Sequence, residues 1–283
     1  MPIITVSNLK GGTGKTSVAV NLAAGLTRRA GPQGDPVVVV DFDPQGNALK
    51  TISGTTQYTN AESLAAAIAD DDLLDLLGLT RPTAVSLVRR APEPWYPNLH
   101  FVPCREMMLV EVRRRLPAIE NRAALMRTAL HALAEHFQYV VVDTGPSIDD
   151  LLVSIFAATD YIVVPVEMDE NAIEGAARIT KKVAEVAGAS ARPRIVGYVA
   201  NKFMSQRIGD RNAIESLRQL FAKQVYDTII PHNIDIRYSQ AARSDIYRFA
   251  PKSPAAAALA LMVEETLQRI AKLEASPSRA RKS

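Results

Sequence analysis

Short runs of β-branched and other apolar residues recur along this chain, separated by longer stretches rich in Ala, Leu and Arg. The runs predict strands at 3–6, 37–41, 99–103, 139–143, 161–166, 195–200 and 228–231. At 37–40 and 140–142 the residues are apolar at successive positions instead of alternating. That pattern means burial on both faces, as in a parallel sheet covered by helices. Strand and helix patterns alternate along most of the chain. They predict an α/β fold, a doubly wound, mostly parallel sheet with helices on both faces. A first helix is predicted from about Lys15 to Arg29, and Gly31-Pro32-Gln33-Gly34-Asp35-Pro36 breaks it before the second strand. The stretch 53–97 is irregular and reads as helical insertions over the sheet edge. An Ala-rich helix is predicted from Ser253 to about Leu273. The organisation expected is one domain over 1–275 and a disordered basic tail, 276–283.

Composition narrows this picture. Of 283 residues, 47% are apolar, enough for a sizeable core. A single cysteine, Cys104, excludes an intrachain disulfide and any site needing two thiolates from one chain; it reads as a small apolar residue. The net charge is only +3, and Arg279, Arg281 and Lys282 in the tail account for it. Any nucleic-acid surface must therefore be a local patch. No basic region precedes an apolar stretch at the N-terminus, and no apolar run approaches the roughly 20 residues that span a bilayer. A soluble, cytoplasmic protein without stable membrane insertion is expected.

The chemistry begins at residues 8–17, Asn-Leu-Lys-Gly-Gly-Thr-Gly-Lys-Thr-Ser, between a predicted strand and a predicted helix. That is the context of a phosphate-binding loop. Gly11, Gly12 and Gly14 let the backbone turn its N–H groups inward, and the helix N-terminus favours an anion. Thr13 and Ser17 complete the cradle. Lys15 can reach the β- and γ-phosphates of a nucleotide, and the Thr16 hydroxyl can hold Mg²⁺. Further on, Asp41-Phe42-Asp43-Pro44-Gln45-Gly46-Asn47 sets two carboxylates at i and i+2 at a strand's C-terminal end, projecting to one side. Tyr139-Val140-Val141-Val142-Asp143 has the form of a strand ending in a metal-binding carboxylate.

Where the ordinary phosphate-loop pattern calls for a first glycine, this chain has Leu9 followed by Lys10. Lys10-Gly11-Gly12-Thr13-Gly14-Lys15-Thr16 resembles the deviant Walker A motif of ParA, MinD and the nitrogenase iron protein. The segment 41–46 is similar to the switch I of that family, and Thr144-Gly145-Pro146-Ser147 to its switch II, with Gly145-Pro146 where many ParA proteins have two prolines. The likeness covers most of the chain and is weakest at 54–97. It implies a P-loop NTPase fold and an ATP- and Mg²⁺-dependent ATPase closest to short ParA-type partition proteins without an N-terminal helix-turn-helix domain. It implies that Lys10 reaches across an ATP-bound homodimer to the partner's phosphates, that Asp43 orients the attacking water, and that Asp41 supports the Mg²⁺ shell beside Asp143. It also implies that Asn201, after a strand, recognises adenine, and that Pro231, in Ile229-Ile230-Pro231-His232-Asn233, lies where backbone contacts the base.

The same resemblance implies a dimer that binds either DNA or membrane. Residues 201–252 hold nine basic side chains against five acidic. On a helix from about Arg211, Ile214, Leu217, Leu220 and Phe221 would face the core, leaving Arg211, Arg218 and Lys223 outward. With Arg207, Arg243 and Arg248 these are the candidate contacts to non-specific DNA. The C-terminal residues lack the apolar amphipathic end of a membrane anchor. The expected role is plasmid or chromosome partition at the nucleoid, with hydrolysis stimulated by a ParB-like partner. The alternatives are positioning of a protein assembly through an adaptor, a MinD-like membrane-associated ATPase, and an ATP-dependent metabolic synthetase of related fold. The single cysteine excludes an iron-protein cluster site, and no tyrosine-rich tail suggests a kinase.

Overall fold

A computed structural model describes residues 1–169, 172–188 and 192–275. The basic tail expected at 276–283 lies outside the described residues. Among the described residues, eight strands form one sheet: β1 (Ile3–Val6), β2 (Val37–Phe42), β3 (Arg89–Arg90), β4 (Leu99–Val102), β5 (Tyr139–Thr144), β6 (Tyr161–Glu167), β7 (Arg194–Phe203) and β8 (Val225–Pro231). Their order is β3-β4-β2-β5-β1-β6-β7-β8. Every pairing is parallel except β3 with β4. All residues of β1 and β2 are buried, as the unbroken apolar runs require.

The α-helices among the same residues are, in chain order, α1 (Lys15–Ala30), α2 (Asn47–Ser53), α3 (Leu64–Ala67), α4 (Asp71–Leu76), α5 (Glu106–Arg115), α6 (Arg122–His136), α7 (Asp150–Ala157), α8 (Ala172–Ala187), α9 (Ile208–Phe221), α10 (Ile234–Ala241), α11 (Ile246–Phe249) and α12 (Pro254–Ala275). α1 packs with α2 and α12, while α6, α7, α8 and α9 pack successively against one another. The sheet lies between these two helical layers, so the doubly wound α/β expectation holds. The predicted strands all form, most extended by a residue or more.

Two expectations change. The stretch 53–97 holds short helices as predicted, but also the antiparallel edge strand β3, both of whose residues are exposed. Two exposed arginines give no periodicity to read, and β3 exists only because β4 offers its open edge. On α9, Ile214 and Leu217 are buried and Phe221 is partly buried, but Leu220 is 64% exposed. The buried stripe runs 210, 214, 217, 221, and Leu220 falls to its side.

The topology gathers the chemistry. β1 sits between β5 and β6, and β2 pairs with β5, so the C-terminal ends of β1, β2 and β5 emerge side by side. The chain turns to one side of β1 after β1 and crosses to the other after β5. Such a reversal leaves a crevice at the strands' C-terminal ends.

Candidate functional site

The loop after β1 is shaped by two left-handed glycines, Gly12 at φ 81° and Gly14 at φ 85°. Gly14 is also the N-cap of α1. Its lack of a side chain matters twice, because an added Cβ would lie 2.3 Å from Nδ2 of Asn201. Asn201, 3% exposed, donates through Nδ2 to the Thr13 carbonyl at 2.8 Å and accepts the Lys202 N–H on Oδ1 at 2.9 Å. The end of β7 thus braces the loop from behind, and Thr13 is buried at that contact.

Lys15 is 6% exposed and donates to the Lys10 carbonyl at 3.1 Å. Burial lowers its pKa, against the opposing pull of Asp143 and Asp43. The Thr16 hydroxyl donates to Asp143 Oδ2 at 2.7 Å. Asp143 pairs in register with Asp41 across β5 and β2, and both are fully buried. Burial raises the Asp143 pKa well above its ordinary value, and the Asp41 charge adds to it. Burial likewise raises the Asp41 pKa, although backbone N–H groups offset part of the effect. Asp41 accepts from Asp43 N on Oδ1 at 2.9 Å, and from Ala48 N and Leu49 N on Oδ2 at 2.9 and 3.2 Å. It therefore anchors the turn that carries Asp43 and the first turn of α2. Asp43 is partly exposed and lines the cavity in front of the loop.

That cavity has a volume of ≈ 530 Å³, within the range of small-ligand sites. Gly11, Gly12, Gly14, Lys15, Thr16 and Ser17 of the loop line it together with Asp43, Asn201 and Pro231. The arrangement fits a nucleotide. Left-handed glycines give the loop the backbone turn of an anion-binding nest, and among the described residues the buried Lys15 ammonium has no anionic partner within hydrogen-bond reach. It fits Mg²⁺ too: a hydroxyl on one of two buried, mutually repelling carboxyls is a hard-cation donor set. Thr16 and Asp143 would hold the ion, and Asp41 sits behind them.

The sequence profile of the AAA-domain family matches residues 1–195. The chromosome partitioning protein ParA of Myxococcus xanthus is 27% identical over 271 residues, covering 94% of this chain and 88% of that protein. The chromosome-partitioning ATPase Soj of Thermus thermophilus is 29% identical over 273 residues, covering 94% of this chain and 96% of that protein. The chain belongs to the ParA/MinD family. Among solved structures, an ATP complex of a McdA variant from Cyanothece superposes with a TM-score of 0.79 at 19% identity, covering 95% of this chain and 96% of that one. That likeness shows the shared P-loop fold. The chain is accordingly a P-loop nucleotide hydrolase.

For a ParA/MinD protein the placement of Lys10 is informative. Lys10 does not line the cavity of its own subunit. Its ammonium forms an ion pair with Asp169 just beyond β6, and its side chain stays 31% exposed. Gln45, Asn47 and Pro146 of the two switch-like segments also line the cavity, as do residues to which the sequence reading gave no cavity role: Lys202, and on α10 Arg237 and Gln240. Asn233, Arg237 and Gln240 recur at i, i+4 and i+7, a polar face on a short helix that could have flagged them.

The candidate DNA contacts divide. Arg207, Arg211 and Arg218 are exposed along α9, with Lys223 just after it. Arg218 and Lys223 also line a cleft of ≈ 610 Å³ with Arg269 and Lys272. Arg243 and Arg248 are built against other elements. The Arg243 guanidinium lies so close to Gly54 that an added Cβ would meet Nη1 at 2.4 Å. Arg248 stacks over the Tyr96 ring at 4.1 Å, with Asp245 at 3.9 Å. Cys104 is buried, and burial pushes its thiol up to about 12. Burial and a neutral thiol fit its reading as a packing residue. Among the described residues, no helix is long and apolar enough to cross a membrane.

Proposed function

We propose that this chain is a Mg²⁺-dependent ATPase that dimerises on ATP, binds duplex DNA without sequence preference, and segregates or positions a cargo. It would work in the cytoplasm on nucleoid DNA, and a ParB-like protein or an adaptor would stimulate hydrolysis. The observation that carries this reading is the division of labour between two lysines. Lys15 is buried in the wall of its own cavity, whereas Lys10 stands outside that wall with part of its side chain exposed. A second subunit's γ-phosphate can recruit Lys10 without disturbing Lys15.

Phosphoryl transfer to water needs positioning and charge neutralisation more than covalent chemistry. The loop N–H groups and Lys15 would bind the triphosphate, and Lys10 of the second subunit would meet the terminal phosphate. Mg²⁺, held by Thr16 and Asp143, would supply charge neutralisation between the phosphates. Asp43, half-exposed at the cavity rim, would accept a hydrogen bond from the attacking water and aim it. Asn201 and Pro231 would flank the base. Once the shared anion is cut, the bond between subunits weakens. Of the basic residues, Arg207, Arg211, Arg218 and Lys223 form the most continuous surface for phosphodiester contacts, with Arg243 and Arg248 as further contacts.

The test is binding to random-sequence duplex DNA with no nucleotide, ADP or ATP, run beside sedimentation, for wild type and Asp43→Ala. ATP should give a dimer with salt-sensitive DNA affinity, and Asp43→Ala should stay in that state with hydrolysis lost. A dimer without DNA affinity would remove the partition reading. Absence of any ATP-dependent dimer would remove the switch.

A further inference from the structure

The loop after β1 is fastened to its neighbour β6 by successive contacts that climb toward the rim. Ser7 N donates to the Val163 carbonyl at 3.1 Å. Asn8 Nδ2 donates to the Pro165 carbonyl at 2.7 Å, and Asn8 Oδ1 accepts the Lys10 N–H at 3.1 Å. The last rung is the ion pair of the Lys10 ammonium with Asp169. Asp169 is itself fixed in a turn, its N–H donating to the Glu167 carbonyl at 3.0 Å and its carbonyl accepting from Ala172 N at 3.1 Å. Glu167, two residues earlier, is engaged separately by Lys202 at 3.5 Å. The Lys10 backbone carbonyl meanwhile receives the Lys15 ammonium. In the isolated subunit, therefore, both loop lysines are parked by the subunit's own groups.

We propose that Asp169 is a positioning residue for Lys10: it holds the ammonium in the monomer and competes with the phosphate of a second subunit, so it sets the threshold for ATP-driven dimerisation. The inference rests on the reading of Lys10 given above. Asp169 lies outside the cavity lining, so an ammonium held against it in cis must leave it to reach a terminal phosphate in trans. The contest has the right balance for a switch. Both side chains are about a third exposed, 31% for Lys10 and 39% for Asp169, and ion pairs so open to water give only a several-fold preference. A triphosphate end carries more charge than a carboxylate and makes stronger charge-assisted bonds. The latch is thus weak enough to be opened by ATP on a partner, yet present whenever no partner is there. A ligand shifts such an equilibrium only by its differential affinity for the two states, and Asp169 subtracts from that differential once per subunit.

The test is the dimer dissociation constant by sedimentation in saturating Mg-ATP, for wild type, Asp169→Asn, Lys10→Gln and the double variant. Asn keeps the shape of Asp169 and removes its charge. Asp169→Asn should dimerise at a protein concentration lower by roughly 2- to 25-fold, from about 1.4- to fivefold per subunit. In the Lys10→Gln background the same substitution should change nothing. The affinity of the monomer for ADP, which reads its own cavity, should stay the same in Asp169→Asn. If wild type dimerises and Asp169→Asn dimerises equally or less readily, the latch is overturned while the ATP switch stands. An equal effect of Asp169→Asn with and without Lys10 overturns it as well, since the effect would then be structural. A wild type that stays monomeric on Mg-ATP overturns both.

Discussion

At Gly14 one missing side chain serves both backbone and packing. Its φ of 85° is a region that L side chains enter at a cost of about 1–3 kcal/mol, and Asn201 Nδ2 fills the place a Cβ would take. Gly14→Ala should lower the melting temperature by several degrees and abolish ADP binding measured calorimetrically. Gly11→Ala is the contrast, because nothing lies within 4 Å of an added Cβ there. It should leave the melt of the free subunit unchanged, and equal losses in both variants would refute the account. The loop glycines were legible as a motif. The Asn201 brace was not, since a pairing between residue 14 and residue 201 leaves no local pattern. The buried carboxyls Asp41 and Asp143 carry a pH prediction. Burial raises both pKa values, so their protonated forms favour the fold. That contribution is present in acid and fades as pH rises through the raised folded values. Thermal melts of the nucleotide-free subunit should fall from mildly acid to mildly alkaline pH, and Mg²⁺ with ADP should suppress the fall by stabilising the charged carboxylates. A fall that Mg²⁺-ADP leaves untouched would count against a cation at this place.

Among the elements, α2 is tied to the site through its first turn. Asp41 satisfies the N–H groups of Ala48, Leu49 and Asp43 from a fully buried position, whereas Asp43 is partly exposed. Asp41→Ala leaves several buried donors without partners, and each is worth about 1–3 kcal/mol. It should melt several degrees lower than wild type, with Asp43→Ala close to wild type, although both should lose hydrolysis. Equal melts would mean that Asp41 does not hold α2. The i, i+2 carboxylate pair was readable as chemistry, but its division into an anchor and a cavity-facing group depends on where α2 packs. Along α9, Arg207, Arg211 and Arg218 are exposed at i, i+4 and i+11, flanking the buried stripe of Ile214 and Leu217. Arg211→Gln and Arg218→Gln should each weaken DNA binding alike for all sequences and reduce the salt slope by about 1. A filter-binding series across salt concentrations reads this directly, and unchanged slopes would place the DNA elsewhere.

Across the whole molecule the charge is nearly balanced, at +3. The proposed DNA affinity cannot come from a global field and would be raised by pairing two copies of a local patch. DNA binding in the presence of ATP should therefore rise with protein concentration more steeply than a monomer's would. Lys10→Ala should abolish the ATP-dependent part while sparing ADP affinity, because Lys10 stands outside its own subunit's cavity. Equal loss of ADP binding would return Lys10 to a role within one subunit.

Apolar patterning alone was enough to specify the sheet, because unbroken Val and Ile runs can be buried only between two helical layers. Residue order likewise specified the phosphate loop, because Gly, Lys and Thr at that spacing after a strand have a specific backbone consequence. The edge strand Arg89–Arg90, the brace of Asn201 beneath Gly14, the anchoring of α2 by Asp41 and the parking of Lys10 on Asp169 arise from three-dimensional packing that no local pattern encodes. The Asn201 brace and the Lys10–Asp169 pair join groups far apart in the chain that the order β5-β1-β6 and its neighbours bring to one rim, whereas β3 needs the open edge of β4, and the short-range bonds of Asp41 to Ala48 and Leu49 need α2 packed beside β2. Local propensity and periodicity report what a segment buries; they carry no record of which distant partner meets the groups it leaves exposed.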